Sequence, residues 1–148
     1  MRIYDAKPSM AESLTDLAMR SKASWGYDSA LIEQWSLDLI IAPEDIETKL
    51  VKVAGDQNGI AGFASFNLQE REIDHFWVEP QRMRSGVGRM LFEAIRIELE
   101  KRNIEKFVIV SDPNAQGFHE RMGAKRIAMV ESVPSGRMLP KLSCKLKW

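Results

Sequence analysis

Residues 73–91 read IDHFWVEPQRMRSGVGRML, and this stretch decides the fold. A run of apolar and aromatic residues suited to a strand, Ile73 to Val78, stops at Pro80, which has no N–H for a continuing ladder. A short basic loop with two glycines follows, and from Val87 to Arg102 the pattern turns helical. Strand, glycine loop and helix N-terminus together shape a backbone to hold phosphate. The first amides of a helix lack partners, and the helix dipole adds partial positive charge. Gly86 and Gly88 offer close backbone approach, while Arg82, Arg84 and Arg89 offer charge. No Lys-Ser or Lys-Thr follows the glycines, so a nucleoside-triphosphate loop is excluded. The dinucleotide fingerprint needs a third small residue where Leu91 stands. An oxidoreductase reading would rest on Gly86-x-Gly88 alone.

What remains resembles the acetyl-CoA motif of the GNAT superfamily of N-acetyltransferases, a Val-x-Pro followed by an Arg or Gln and then Gly-x-Gly or Gly-x-Ala. Val78, Pro80, Gly86 and Gly88 match it, and Met83 stands at the Arg/Gln position between Arg82 and Arg84. A second segment, Ser111 to Ala124 (SDPNAQGFHERMGA), resembles the family's later motif through Ala115, Phe118, Gly123 and Ala124. His119 stands where that motif usually has tyrosine. The resemblance runs in the expected order from Glu72 to Ala124. Two further stretches, Ser21–Asp28 (SKASWGYD) and Ser111–Asn114 (SDPN), look like a group of small bacterial members.

The resemblance implies a single-domain α/β GNAT fold over residues 1–148, with a mixed, mostly antiparallel central sheet flanked by helices. Its fourth and fifth strands would splay apart to admit acetyl-CoA as cosubstrate. Arg84, Ser85, Gly86, Val87, Gly88 and Arg89 would hold the pyrophosphate, with Asn114 nearby. Main-chain amides at Phe76, Trp77 and Val78 would polarise the thioester carbonyl. The acceptor would lie between the first helices and the sheet, against Trp25 and Tyr27.

Composition agrees with one ordinary globular domain. The chain has 148 residues, 45% hydrophobic and 28% charged, with 21 basic and 21 acidic residues, long enough to bury one substantial core. A formal net charge of zero argues against nucleic acid or an anionic membrane as partner. The single cysteine, Cys144, cannot form an internal disulfide and fits a reducing, cytoplasmic setting. It lies in an alternating segment suited to a half-buried strand. Neither a secretory leader nor a membrane-length apolar run is visible, and two histidines with one cysteine are not spaced as a metal site. The oligomeric state, homodimer included, is left open.

Periodicity divides the rest. Arg2–Ala6 reads as a first strand, and a helix opening near Pro8-Ser9 carries the stripe Met10, Leu14, Leu17 and Ala18. Helices are expected over 29–39 and 44–49. Residues 50–54 and 60–68 form a hairpin across 55–59, and 72–78 is the next strand. The helix from 86 to 102 is expected to turn Val87, Met90, Leu91, Ala94 and Ile97 inward. A strand over 106–110, a short helix over 114–122, and strands over 125–130 and 139–147 joined by a loop at 134–136 complete the chain.

Acetyl transfer to an amine requires removal of a proton from a group whose pKa is about 10. Glu72 opens the strand leading into the phosphate loop and is the first candidate base, with Asp74 the second. Strand alternation puts those two on one face and His75, with Ile73 and Trp77, on the other. His119 either donates toward the departing thiolate in place of tyrosine or is a helix-surface residue. Few acids cluster around 20–40, apart from Glu33 and Asp38, which favours a small amine acceptor over a basic peptide. The rival to catalysis is a GNAT module that holds CoA without turnover, as a sensor or assembly partner.

Overall fold

The computed structural model describes residues 1–132 and 137–146; the expected loop at 134–136 and the last position, 147, of the expected final strand lie outside them. Seven strands form one sheet in the order β1-β2-β3-β4-β5-β7-β6. They are β1 (Arg2–Asp5), β2 (Leu50–Asp56), β3 (Gly59–Asn67), β4 (Glu72–Val78), β5 (Lys106–Val110), β6 (Lys125–Glu131) and β7 (Met138–Lys145). Every neighbouring pair is antiparallel except β4–β5. Among the described residues five α-helices accompany them: α1 (Ala11–Ala23), α2 (Ser29–Leu39), α3 (Pro43–Thr48), α4 (Val87–Lys101) and α5 (Gln116–Arg121). This is the expected order of elements.

Each face of the sheet has its own core. Val87, Leu91, Phe92, Ile95 and Leu99 of α4 pack with Ala64, Phe66, Ile73, Phe107 and Ile109, and Phe118 with Met122, from the last helix and the residue after it, adds to the edge. On the other face Leu14, Leu17 and Ala18 of α1 pack with Ile46 of α3 and with Val51, Val53 and Phe63. Burying each such large side chain contributes about 1.5–3 kcal/mol. The sequence pattern sets the phase of α4 wrongly by part of a turn. The buried stripe is 87-91-92-95-99, and Ile97, expected inward, is 50% exposed.

Gly62 on β3 explains how α4 docks so tightly. A Cβ there would stand 2.8 Å from the Trp77 carbonyl oxygen and 3.1 Å from both Leu91 and Val87. The helix N-terminus is thereby pressed against the sheet where β4 ends.

The β3–β4 register carries a second correction. Phe66 faces Ile73 and Ser65 faces His75, so Asp74 is an extra residue in a β-bulge, and the alternation of side chains reverses across it. Ile73 belongs to the α4 core. His75 and Trp77 face the α1 side, where the His75 ring lies 6.2 Å from Phe63. The expected grouping of His75 with Ile73 therefore fails, and Glu72, Asp74, His75 and Trp77 all look toward the α1–α3 face.

Candidate active site

β4 and β5 part almost as soon as they meet. They pair only at Glu72–Val108 and Ile73–Ile109. Among the described residues, no ladder partner lies on the β5 side of residues 74–78. The other edge of β4 stays bound to β3 as far as Val78, and the Glu79 N–H bonds the Ala61 carbonyl at 2.8 Å. Two-residue alternation back from Glu79 sends the Trp77 N–H toward β3 and those of Phe76 and Val78 into the gap. Of the three expected donors, two face the opening.

One end of that gap meets the uncapped N-terminus of α4. After β4 the chain makes a single 3-10 turn over Pro80–Arg82, then Arg84 at φ 63° and Gly86 at φ 91° swing it into α4. Gly86 is the N-cap, with no side-chain cap and no acid in the first turn. The first intrahelical bond is Met90 N–H to the Gly86 carbonyl, which leaves the amides of Val87, Gly88 and Arg89 pointing outward along the dipole. The two glycines differ in role. Space around the Gly86 α-carbon is open, whereas a Cβ on Gly88 would meet the Phe118 ring at 3.0 Å. Gly88 therefore lets α5 pack onto α4, a packing task beside the close ligand approach expected of it. The Ser85 hydroxyl donates to the Arg82 carbonyl. The Arg82 guanidinium is bound to Asp56 at 2.5 Å, so Arg84 and Arg89 are the loop's remaining cations.

His119 is not a surface residue. It is 3% exposed, and its ring stands edge-on to Phe76 at 5.4 Å and Phe118 at 5.2 Å, with Phe92 at 6.4 Å. Its Nδ1 has no hydrogen-bond partner among the described residues. Burial lowers its pKa to about 4, so the ring is neutral at physiological pH and one nitrogen carries a proton. It touches the strand segment whose amides face the gap.

On the α1 face the candidate bases separate. Asp74 is paired with Lys49 Nζ at 2.8 Å. Glu72 takes part in none of the ion pairs among the described residues. Burial and the neighbouring Asp74 raise its pKa, against a counter-pull from Lys141. A carboxylate with a raised pKa is the better proton acceptor of the two.

Farther along that face, segments distant in sequence meet. Lys22 Nζ contacts Asp112 at 2.5 Å, and Arg137 stands 3.7 Å from the same carboxylate. Tyr27 Oη donates to Asp112 at 3.1 Å and accepts from Asn114 Nδ2 at 3.0 Å and from Arg137. Asn114, expected beside the cofactor, thus joins this cluster. The Lys22 ammonium lies 5.0, 4.7 and 5.9 Å from the rings of Tyr27, Trp35 and Trp77. Trp77 is itself oriented by a 3.2 Å hydrogen bond from its indole N–H to His75 Nδ1. Trp25, paired with Tyr27 in the sequence reading, is 38% exposed, and buried Trp35 stands in the cluster instead. Lys22, Asp112 and Arg137 were missed as site residues, although Ser21–Asp28 and Ser111–Asn114 had marked the neighbourhoods of the first two.

A cleft of about 830 Å³ lies between α1 and the β2–β3 turn, lined by Ser13, Asp16, Asn58, the Arg20–Glu79 pair and, from the turn after β4, Gln81 and Arg82. No metal-binding group of His, Cys, Asp or Glu occurs among the described residues, nor a helix long and apolar enough to cross a membrane.

The family model described as an acetyltransferase (GNAT) domain matches residues 29–134. A search of curated protein sequences found no match. Among solved structures, the PaiA N-acetyltransferase of Thermoplasma acidophilum in complex with coenzyme A superposes with a TM-score of 0.78 at 16% identity, covering 97% of this chain and 98% of that one. The ribosomal-protein-S18-alanine N-acetyltransferase of Escherichia coli gives 0.72 at 18% identity, over 99% and 94%. An aminoglycoside 6'-N-acetyltransferase complexed with coenzyme A gives 0.72 at 16%, over 99% and 97%. At these identities the structures establish the fold alone. The family match spans most of the chain, the sheet with its parted strands agrees with it, and this protein belongs to the GNAT acetyltransferase family.

Proposed function

We propose that this chain moves the acetyl group of acetyl-CoA to a primary amine of a small acceptor by direct attack. The observation that carries the reading is the continuity of one polar track. The inward-facing amides of Phe76 and Val78 lie in the β4–β5 gap, and the gap runs to the uncapped N-terminus of α4 beside Arg84 and Arg89. Such a track fits an extended ligand with a carbonyl at one end and a pyrophosphate at the other.

In this reading the loop from Arg84 to Arg89 binds pyrophosphate through backbone amides. Phe76 and Val78 hold the thioester carbonyl, where preorganised donors contribute roughly 3 kcal/mol to the transition state. Glu72 takes the proton from the amine, directly or through water. The neutral His119 faces the departing sulfur with an N–H. No side chain is required as a covalent carrier.

The test is release of free CoA thiol from acetyl-CoA across a panel of primary amines. Amine-dependent thiol release is expected. Tight acetyl-CoA binding with no release for any amine, protein N-termini and lysine peptides included, would make this a CoA-binding module instead. Efficient acetylation of a peptide lysine alone would overturn the small-acceptor part.

A further inference from the structure

The gap between β4 and β5 has one feature that the transfer step does not use. Trp77 near the end of β4 and Asp112 just past β5 stand on either side of its α1-facing mouth, and the Lys22 ammonium from α1 reaches both, at 5.9 Å and 2.5 Å. Arg137, just ahead of β7, stacks on the far side at 4.7 Å from the Tyr27 ring and 4.8 Å from Trp35. Lys22 is only 8% exposed. A buried ion pair is a poor device for stability, because removing both charges from water offsets most of their attraction. Apolar side chains would pack this mouth at lower cost, so the retained charges call for a role other than packing.

We propose that this cluster recognises a carboxylate on the acceptor, so that the amine substrate is amino-acid-like. The proposal rests on the transferase reading above. Two cations, Lys22 and Arg137, converge there on the single carboxylate of Asp112. The aromatic faces that would otherwise receive an ammonium already have the protein's own cations against them, Lys22 at 4.7 Å and Arg137 at 4.8 Å from Trp35. An incoming cation would meet two like charges at short range, while an incoming carboxylate would be attracted by both. Asp112 holds the Lys22 ammonium in place, and the Tyr27 hydroxyl ties Asp112, Asn114 and Arg137 together. Trp35 and Trp77 present apolar surface to the rest of the acceptor. Of the neighbouring acids, Asp74 is held by Lys49 and Glu79 by Arg20, so the several ammonium groups of a polycation gain little from them.

The experiment compares matched acceptors that differ only by a carboxylate: ethylamine with alanine, isoamylamine with leucine and phenethylamine with phenylalanine, with spermidine as the polycation. Thiol release gives kcat/KM for each. The carboxylated member of at least one pair is expected to be favoured about 10- to 100-fold, the range of a charged hydrogen bond, with spermidine poorest. Lys22→Met should bring that ratio near unity with acetyl-CoA affinity unchanged, and Lys22→Arg should keep much of it. If Lys22→Met does not fold, the wild-type ratios decide. Simple amines or spermidine used as well as the amino acids, or a ratio that survives Lys22→Met, would overturn the inference and leave the transferase reading intact. Acetyl-CoA binding with no turnover of any amino acid would overturn it too. Failure to bind acetyl-CoA at all would overturn both.

Discussion

Replacing His119 with phenylalanine should change how the fold responds to acid, by an amount that follows from its surroundings. The imidazole is enclosed by Phe76, Phe92 and Phe118, and burial lowers its pKa from 6.5 to about 4. In the unfolded chain the ring titrates near 6.5, so between pH 6.5 and 4 the unfolded state binds the extra proton and the folded state does not. Stability from this residue is thus complete above pH 6.5 and is lost as pH falls toward 4. The full span corresponds to about 3 kcal/mol, of which about 2 kcal/mol is gone by pH 5. Phenylalanine fits the same aromatic nest without a titrating group. Urea unfolding of both proteins at pH 7, 6, 5 and 4.5 isolates the term, since the carboxylates are common to the two. The difference in stability should move in favour of His119→Phe by about 2 kcal/mol between pH 7 and 5. Parallel pH profiles would refute the argument and place the imidazole in contact with water.

Glu72→Gln should lower kcat by about 100- to 10,000-fold while leaving acetyl-CoA affinity unchanged, measured by thiol release beside calorimetry; a rate within twofold of wild type would remove Glu72 from the chemistry. Gly88→Leu should displace α5, because even a Cβ meets Phe118 at 3.0 Å, with a loss of about 1–3 kcal/mol in urea unfolding; unchanged stability would return Gly88 to a role in ligand approach alone.

The turn from β4 into α4 was legible because its signals are local. A strand, a proline, two glycines and a helix start occupy one short stretch, and each constrains the backbone independently. What escaped the sequence depends on contacts made at a distance. The bulge at Asp74 arises from pairing with Ser65 and Phe66 on β3, which β4's own alternation does not encode, so His75 was placed on the wrong face. The phase of α4 is set by where Gly62 lets Val87 and Leu91 press against β3, and the apolar Ile97 misled the periodicity. Lys22 and Asp112 are 90 positions apart, and neither residue type in its own segment marks a partner. His119 read equally well as a donor to the departing thiolate or as a helix-surface residue, since a six-residue helix is too short to show a stripe.

The most direct measurement of the central claim is a titration of the folded, nitrogen-15-labelled protein with acetyl-CoA, following backbone amide resonances. The largest shifts are predicted at Phe76 and Val78 in the β4–β5 gap and at Val87, Gly88 and Arg89 at the start of α4. No shift at those amides with millimolar acetyl-CoA, or shifts confined to the cleft at Ser13, Asp16 and Asn58, would contradict the account.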